Sequence, residues 1–185
     1  MWRAAMPGFG LDSLRGDGPQ KWQPVMVVTS ERSFILSRER DRDDPTPQIL
    51  GLPSPDGRRL LDIDSYQLIE IQGETMVVGG DPDSRSAVLD RSAGTEAVLF
   101  LSGTTAGAHW GRWLSPDRFV LGGWQDTNDE AEERQGWLSV FDLRDSTIVS
   151  YSTRSVSRTD YEHYYEAWKR WLMKRYQEVH ARPRT

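Results

Sequence analysis

The ten residues SPDRFVLGGW, Ser115 to Trp124, decide how this chain is read. Ser-Pro-Asp signals a turn, an apolar β-branched run follows, and two glycines close it. The same order occurs earlier in ETMVVGGD, Glu74 to Asp81. Gly79 and Gly122 lie 43 residues apart. Superposing the glycine pairs sets TMVVGG against RFVLGG, and then SAVLDRSAGTEAVLFLSG against WLSVFDLRDSTIVSYST. Each unit reads strand, loop, strand ending in Asp (Asp90, Asp142), turn, strand. The Asp offset is 52 residues, and the longer DTNDEAEERQ loop absorbs the difference. Such an insertion costs little, because closure entropy grows only with the logarithm of loop length. A unit of about 40–45 residues with several short strands has the period of a propeller blade.

Working outward, VMVVT (25–29) and FIL (34–36) read as a hairpin turning at SER, and RERDRDDPTP as a charged loop. SPDG (54–57) reads as a turn between strands, followed by strands at 58–63 and 67–71. In WLSVFDL, Leu138 and Val140 point one way and Trp137, Phe141 and Leu143 the other. Apolar side chains on both faces require cover on both, by neighbouring blades or by the second layer of a sandwich. About eleven or twelve short strands are expected in all, enough for three sheets of four.

The segments SPDGRRLL (54–61), WLSPDRFVLGGW (113–124) and WLSVFDLRDSTIVSYS (137–152) resemble β-propeller repeats of the Trp-Asp and TolB-like kinds. The stretch from Val77 to Gly123 is also similar to uncharacterised bacterial proteins, often lipoproteins. The resemblance implies a fold and a bacterial, envelope-associated origin, and no activity. The expected fold is therefore all-β: antiparallel, four-stranded, blade-like sheets forming a partial or small propeller, with one C-terminal amphipathic helix. An irregular arm spans 1–20, the sheet domain 21–153, and the helix 159–181. In that helix Tyr161, Tyr165, Trp168, Leu172, Tyr176 and Val179 form a stripe, and Thr159 with Glu162 fits a capping box. Glu166 is placed to pair with Lys169 or Arg170. The stripe is expected to dock on the protein's own sheet, with a protein partner as the alternative.

Composition narrows the function. The 185 residues carry a net charge of −5, against the clustered Lys and Arg that nucleic acid requires. No apolar run approaches a membrane span, so stable membrane insertion is not expected. With no cysteine, thiolate chemistry and disulfides are excluded. The expected address is the periplasm or cell envelope if a leader preceded the chain, and the cytoplasm otherwise. A monomer or weak homo-oligomer is expected.

No phosphate-binding glycine loop, nucleophile elbow or zinc-protease helix occurs. No cofactor or metal is expected. In DTNDEAEER, Asp126, Asn128 and Glu130 alternate as in a calcium loop, but Ala131 and Trp137 stand where that loop needs Gly and Glu. Arg15-Gly16-Asp17 matches an adhesion tripeptide by residue type alone. Two acidic pairs remain as candidates for acid–base work: Asp62 and Asp64 in DIDS, and Asp81 and Asp83 in DPDS. His109, Trp110, Trp113 and Trp124 are the contact candidates, since exposed Trp is costly and large enough to anchor a ligand or partner. The favoured function is a non-enzymatic binding or assembly module. The alternatives are a hydrolase using an Asp/Glu site, and a structural piece of a larger envelope complex.

Overall fold

The computed structural model describes residues 15–39, 45–73, 75–80, 83–127 and 133–180. Antiparallel strands dominate, and one long helix follows them. The first sheet is built on four consecutive strands: β10 (Ala106–Ser115), β11 (Arg118–Asp126), β12 (Glu133–Asp142) and β13 (Thr147–Ser157). Two short strands, β1 (Arg15–Gly16) and β2 (Gln20–Lys21), pair on the far side of β13. Part of the expected irregular arm is thus sheet. The second sheet runs β3 (Met26–Thr29), β9 (Thr95–Ser102), β8 (Ser84–Asp90), β5 (Arg59–Asp62), β4 (Gly51–Pro53). The third, among the described residues, is a two-stranded hairpin, β6 (Gln67–Gln72) with β7 (Thr75–Gly80).

The first two sheets face each other. Leu61, Ile63, Val88 and Leu99 from one side meet Ala108, Trp113, Phe119, Leu121 and Phe141 from the other in a single buried cluster. Phe119 and Phe141 stack at 4.7 Å, and Trp113 meets Phe119 edge-on at 5.2 Å. The inward-facing apolar residues are covered by the opposite sheet, and Leu60, Ala87 and Leu89 on the outer side of the second sheet by a short helix, while Leu101 and Leu114 stay exposed.

Among the described residues the sheets hold six, five and two strands, and no four-stranded unit recurs. The glycine pairs also lie in non-equivalent places. Gly122 and Gly123 sit in the middle of the first sheet, between two long partners. Gly79 and Gly80 end a strand of the isolated hairpin. In the first sheet each glycine makes room for an indole on opposite faces. A Cβ on Gly122 would lie 2.6 Å from Trp110 Nε1, and one on Gly123 would lie 1.8 Å from the Gly107 carbonyl and 2.8 Å from Trp137 Cζ2. A Cβ on Gly79 would meet nothing within 4 Å. What the two units share is the local hairpin. Asp90 accepts from the Ser92 and Ala93 amides at 3.0 Å, and Asp142 from the Arg144 amide at 3.1 Å. Each turn then closes on a positive φ, 64° at Gly94 and 54° at Ser146.

Phe34 to Leu36, expected as a return strand, belong to helix α1 (Phe34–Glu39). Ser33 explains it: its hydroxyl accepts from the Leu36 amide at 3.1 Å, which starts a helix in place of a strand. Ile35 is thereby turned onto Leu60, Ala87 and Leu89 on the outer face of the second sheet. Part of the expected charged loop is helical too. Helix α2 (Thr46–Leu50) buries Ile49 and Leu50, and Pro47 sits in its first turn, where a missing N–H costs nothing. The SPDG turn forms as expected, with the Gly57 amide on the Ser54 carbonyl at 2.9 Å and Gly57 at φ 71°.

Helix α3 (Arg158–His180) begins one residue before the expected start. Its cap is Ser157, whose hydroxyl accepts from the Asp160 amide at 3.3 Å and donates to the Asp160 carboxylate at 2.9 Å. The expected stripe is buried at Tyr161, Trp168 and Leu172, joined by Tyr164. Trp168 and Leu172 pack with Ile49, Leu50 and Ile69, and so clamp α2 and the β6–β7 hairpin together. Arg175 reinforces this by donating to the Ile49 and Gly51 carbonyls at the end of α2. On the outer side Lys169 pairs with Glu166 at 2.5 Å. Among the described residues, no helix is long and apolar enough to cross a membrane.

Candidate functional site

Three places bring functional side chains together. The first is a cleft of about 410 Å³ between the two large sheets. Its floor is the inner face of β11, β12 and β13, where strand alternation and register fix which side chains meet. Gln125 lies opposite Gln135, Trp137 opposite Ser152, Ser139 opposite Ser150, and Phe141 opposite Ile148. Leu99 and Phe100 of β9 form the facing wall, and Asp17, just after β1, lies at the margin. Phe100 and Trp137 meet at 5.2 Å with their planes tilted by 37°, which gives the cleft an aromatic corner. Gly123 leaves room for the Trp137 ring, and the Trp137 indole N–H is held by the Trp124 carbonyl at 3.0 Å. The Ser139 and Ser150 hydroxyls bond at 3.0 Å, and the Gln125 amide donates to Gln135 at 3.1 Å. Gln135 in turn donates to the Thr153 carbonyl at 2.6 Å. Among the described residues no Lys, Arg or His lines the cleft, and Asp17 is its single carboxylate.

The second place is a buried aromatic cluster around His109, at an irregularity of β10 between Ala108 and Trp110. The His109 ring stacks on Trp168 at 4.3 Å and on Tyr164 at 5.6 Å. The Trp124 indole donates to His109 Nε2 at 3.1 Å, and the Trp168 indole to the His109 carbonyl at 2.7 Å. Because Nε2 accepts, Nδ1 carries the proton. Nδ1 has no hydrogen-bond partner among the described residues. Burial, with the nearby Arg134 charge, drives the imidazole pKa down to about 3, so His109 is neutral at ordinary pH. Arg134 itself lies 4.0 Å from the rings of both Trp124 and Tyr161 and pairs with Asp126 at 2.9 Å. The cluster closes α3 onto the sheet and leaves no open face for a base to work on.

The third place is a buried polar network under α1. The Ser65 hydroxyl donates to Asp62, and the Ser84 hydroxyl to Asp64 at 2.8 Å. Arg85 pairs with Glu96 and donates to Ser65 at 3.0 Å, while Glu96 also accepts from Ser33 at 2.5 Å. Arg38 of α1 donates to the Ser65 and Gln67 carbonyls. Three carboxylates thus face two guanidiniums. Burial pushes Asp62 up to about 7, with the Asp64 charge adding to it, and burial pushes Asp64 up to about 6. Both groups are nearly inaccessible, at 5% and 1% exposed.

The sequence candidates therefore separate. His109 and Trp124 come together against α3. Trp110 lies over Gly122 on the outer face of the first sheet. Trp113 is in the inter-sheet core, its indole on the Leu52 carbonyl at 2.7 Å. Asp62 and Asp64 meet each other, away from the cleft, on the face of the second sheet that α1 covers. Asp83 is half-buried just before β8, and Asp81 lies outside the described residues. Asp126 of the calcium-like stretch is engaged by Arg134, and Asn128 and Glu130 lie outside the described residues. No group of three or more His, Asp or Glu side chains able to hold a metal occurs among the described residues.

Sequence reasoning missed the cleft. Most of its polar residues are Ser and Gln at alternate positions of β12 and β13, with Gln125 of β11 opposite Gln135, and the signal was the polar face of strands whose aromatic members were read as blade packing. No protein-family model, curated protein or solved structure matches the chain.

Proposed function

We propose that this protein is a non-catalytic binding module whose ligand seat is the cleft between the two sheets. The observation that carries the reading is the makeup of that cleft. Its volume lies in the range of about 300–1,000 Å³ common to small-molecule sites, and it combines an aromatic corner with several hydroxyls and carboxamides. Hydrolysis by acid and base needs two converging proton-transfer groups, and among the described residues one carboxylate lines the cleft. The carboxylates that the sequence offers for such chemistry, Asp62 and Asp64, are engaged in the network under α1. The blade-like features are confined to two hairpins, and the reading does not rest on them.

The test is an NMR titration with free amino acids, nucleosides and neutral sugars, reading the Trp137 indole and the Ser139 and Ser150 amides. At least one class is expected to move these signals and to be recovered chemically unchanged after long incubation. Turnover of the bound compound, or cleft signals that none of these compounds moves, overturns the reading.

A further inference from the structure

We infer that the cleft is built for a neutral polyhydroxylated ligand, a sugar of one or two rings. This rests on the cleft being the ligand seat and adds the chemical class. Three competing classes fail against its walls. Anionic ligands such as phosphates or acidic peptides require cations, and no Lys, Arg or His lines the cleft among the described residues. An extended peptide added to a sheet needs an open backbone edge. The strands forming the floor are interior ones: β11 pairs with β10 and β12, and β12 with β11 and β13. Strand β13 carries β12 on one side and β1 and β2 on the other, and β9 lies between β3 and β8. A purely apolar ligand would cut the spare donors and lone pairs of Ser139, Ser150, Ser152 and Gln135 off from water, which is costly for each one left unpaired.

A sugar ring matches what remains. It has an apolar C–H face and a rim of hydroxyls that each donate and accept. The Trp137 and Phe100 rings, 5.2 Å apart and tilted by 37°, offer the apolar face a platform. The paired Ser139 and Ser150 hydroxyls keep a donor and lone pairs between them, because one internal bond uses only one proton. Gln125 spends one amide proton on Gln135 and keeps its carbonyl oxygen and second N–H. Asp17 at the margin supplies an acceptor able to take two adjacent hydroxyls.

The experiment titrates the whole chain with maltose, cellobiose, lactose and N,N′-diacetylchitobiose, with inorganic phosphate and the tripeptide Gly-Ser-Gly as comparison probes. The expected result is that at least one disaccharide moves the Trp137 indole and the Ser139 and Ser150 amides. Ser150→Leu, which fills the cleft, should weaken that sugar by at least about tenfold, and Asp17→Asn should weaken it by about tenfold. If Ser150→Leu does not fold, Trp137→Phe takes its place, keeping a ring but reducing the platform, with weaker binding expected. Silence from all four sugars while phosphate or the tripeptide moves the cleft signals overturns the sugar assignment and leaves the cleft as a seat. Sugar-induced shifts elsewhere in the molecule, or sugar binding indifferent to these variants, also overturn it. Cleft signals that none of these probes moves overturn the sugar assignment, and the seat falls with it when free amino acids and nucleosides leave the same signals unmoved.

Discussion

Gly122 and Gly123 carry the clearest argument at the level of single residues. An identical dipeptide, Gly79-Gly80, looks the same in sequence and does different work. Adding a methyl group at Gly122 or Gly123 drives a Cβ into an indole or a backbone carbonyl inside the longest sheet. Each Gly→Ala change there is expected to cost more than about 2 kcal/mol, by forcing packed neighbours off their positions. Gly79→Ala meets open space and is expected to be neutral or to stabilise by up to about 1 kcal/mol, because glycine weakens a strand. Urea melts of the three variants check the contrast. Equal effects at Gly79 and Gly122 would restore their equivalence. The same indoles explain why the aromatic candidates scatter. His109 and Trp124 answer to α3, Trp110 to Gly122 on the outer face and Trp113 to the core, and nothing in their spacing distinguishes these fates.

Between elements, the network joining α1 to the second sheet sets a pH dependence. Asp62 has a folded pKa of about 7 against an unfolded value near 3.8. With the folded value raised, its contribution is fully present below about pH 4 and is lost as pH rises through about 7. His109 acts in the opposite sense: its folded value is depressed to about 3, so its contribution is present above about pH 6.5 and is lost as pH falls toward 3. Comparison with Asp62→Asn separates the two. Asparagine can still accept from Ser65 but cannot ionise. The wild type is expected to lose stability relative to Asp62→Asn between about pH 4 and 8, by a few kcal/mol in order of magnitude. Denaturant melts across that range measure the difference, and a pH-independent difference refutes it. Strand alternation made these residues partly readable: Asp62 and Asp64 fall on one face, as DIDS indicates. The helix that buries them was not legible, because FIL suits either a strand or a helix and the Ser33 cap decides between them.

For the whole molecule, the sheet content, the antiparallel pairing and the amphipathic C-terminal helix were legible, because period-two alternation and a gap-free helical stripe are strong local signals. The division into sheets of six, five and two strands was not. Which strand pairs with which is settled by long-range packing, and two hairpins with similar Asp-led turns are served by unrelated neighbours. Helix α3 ties the parts together, reaching the β10 irregularity through Trp168 and His109 and the β6–β7 hairpin through Leu172. Burying Tyr161, Tyr164, Trp168 and Leu172 at roughly 2 kcal/mol each is comparable with the total stability of a domain, about 5–15 kcal/mol. A chain ended at Ser157 is therefore expected to lose its cooperative melting transition. A truncated chain that melts within a few degrees of the full one would contradict this clamp.

That arrangement has a consequence during synthesis. Every strand among the described residues is translated before the segment that covers His109 and Ile69, so a nascent chain already long enough to pair its sheets still presents Trp124, Ile49 and Leu50 to the surroundings. Completion is gated by an element that arrives after the surfaces it must seal, and ribosome-bound chains arrested before Arg158 are the species a chaperone would recognise.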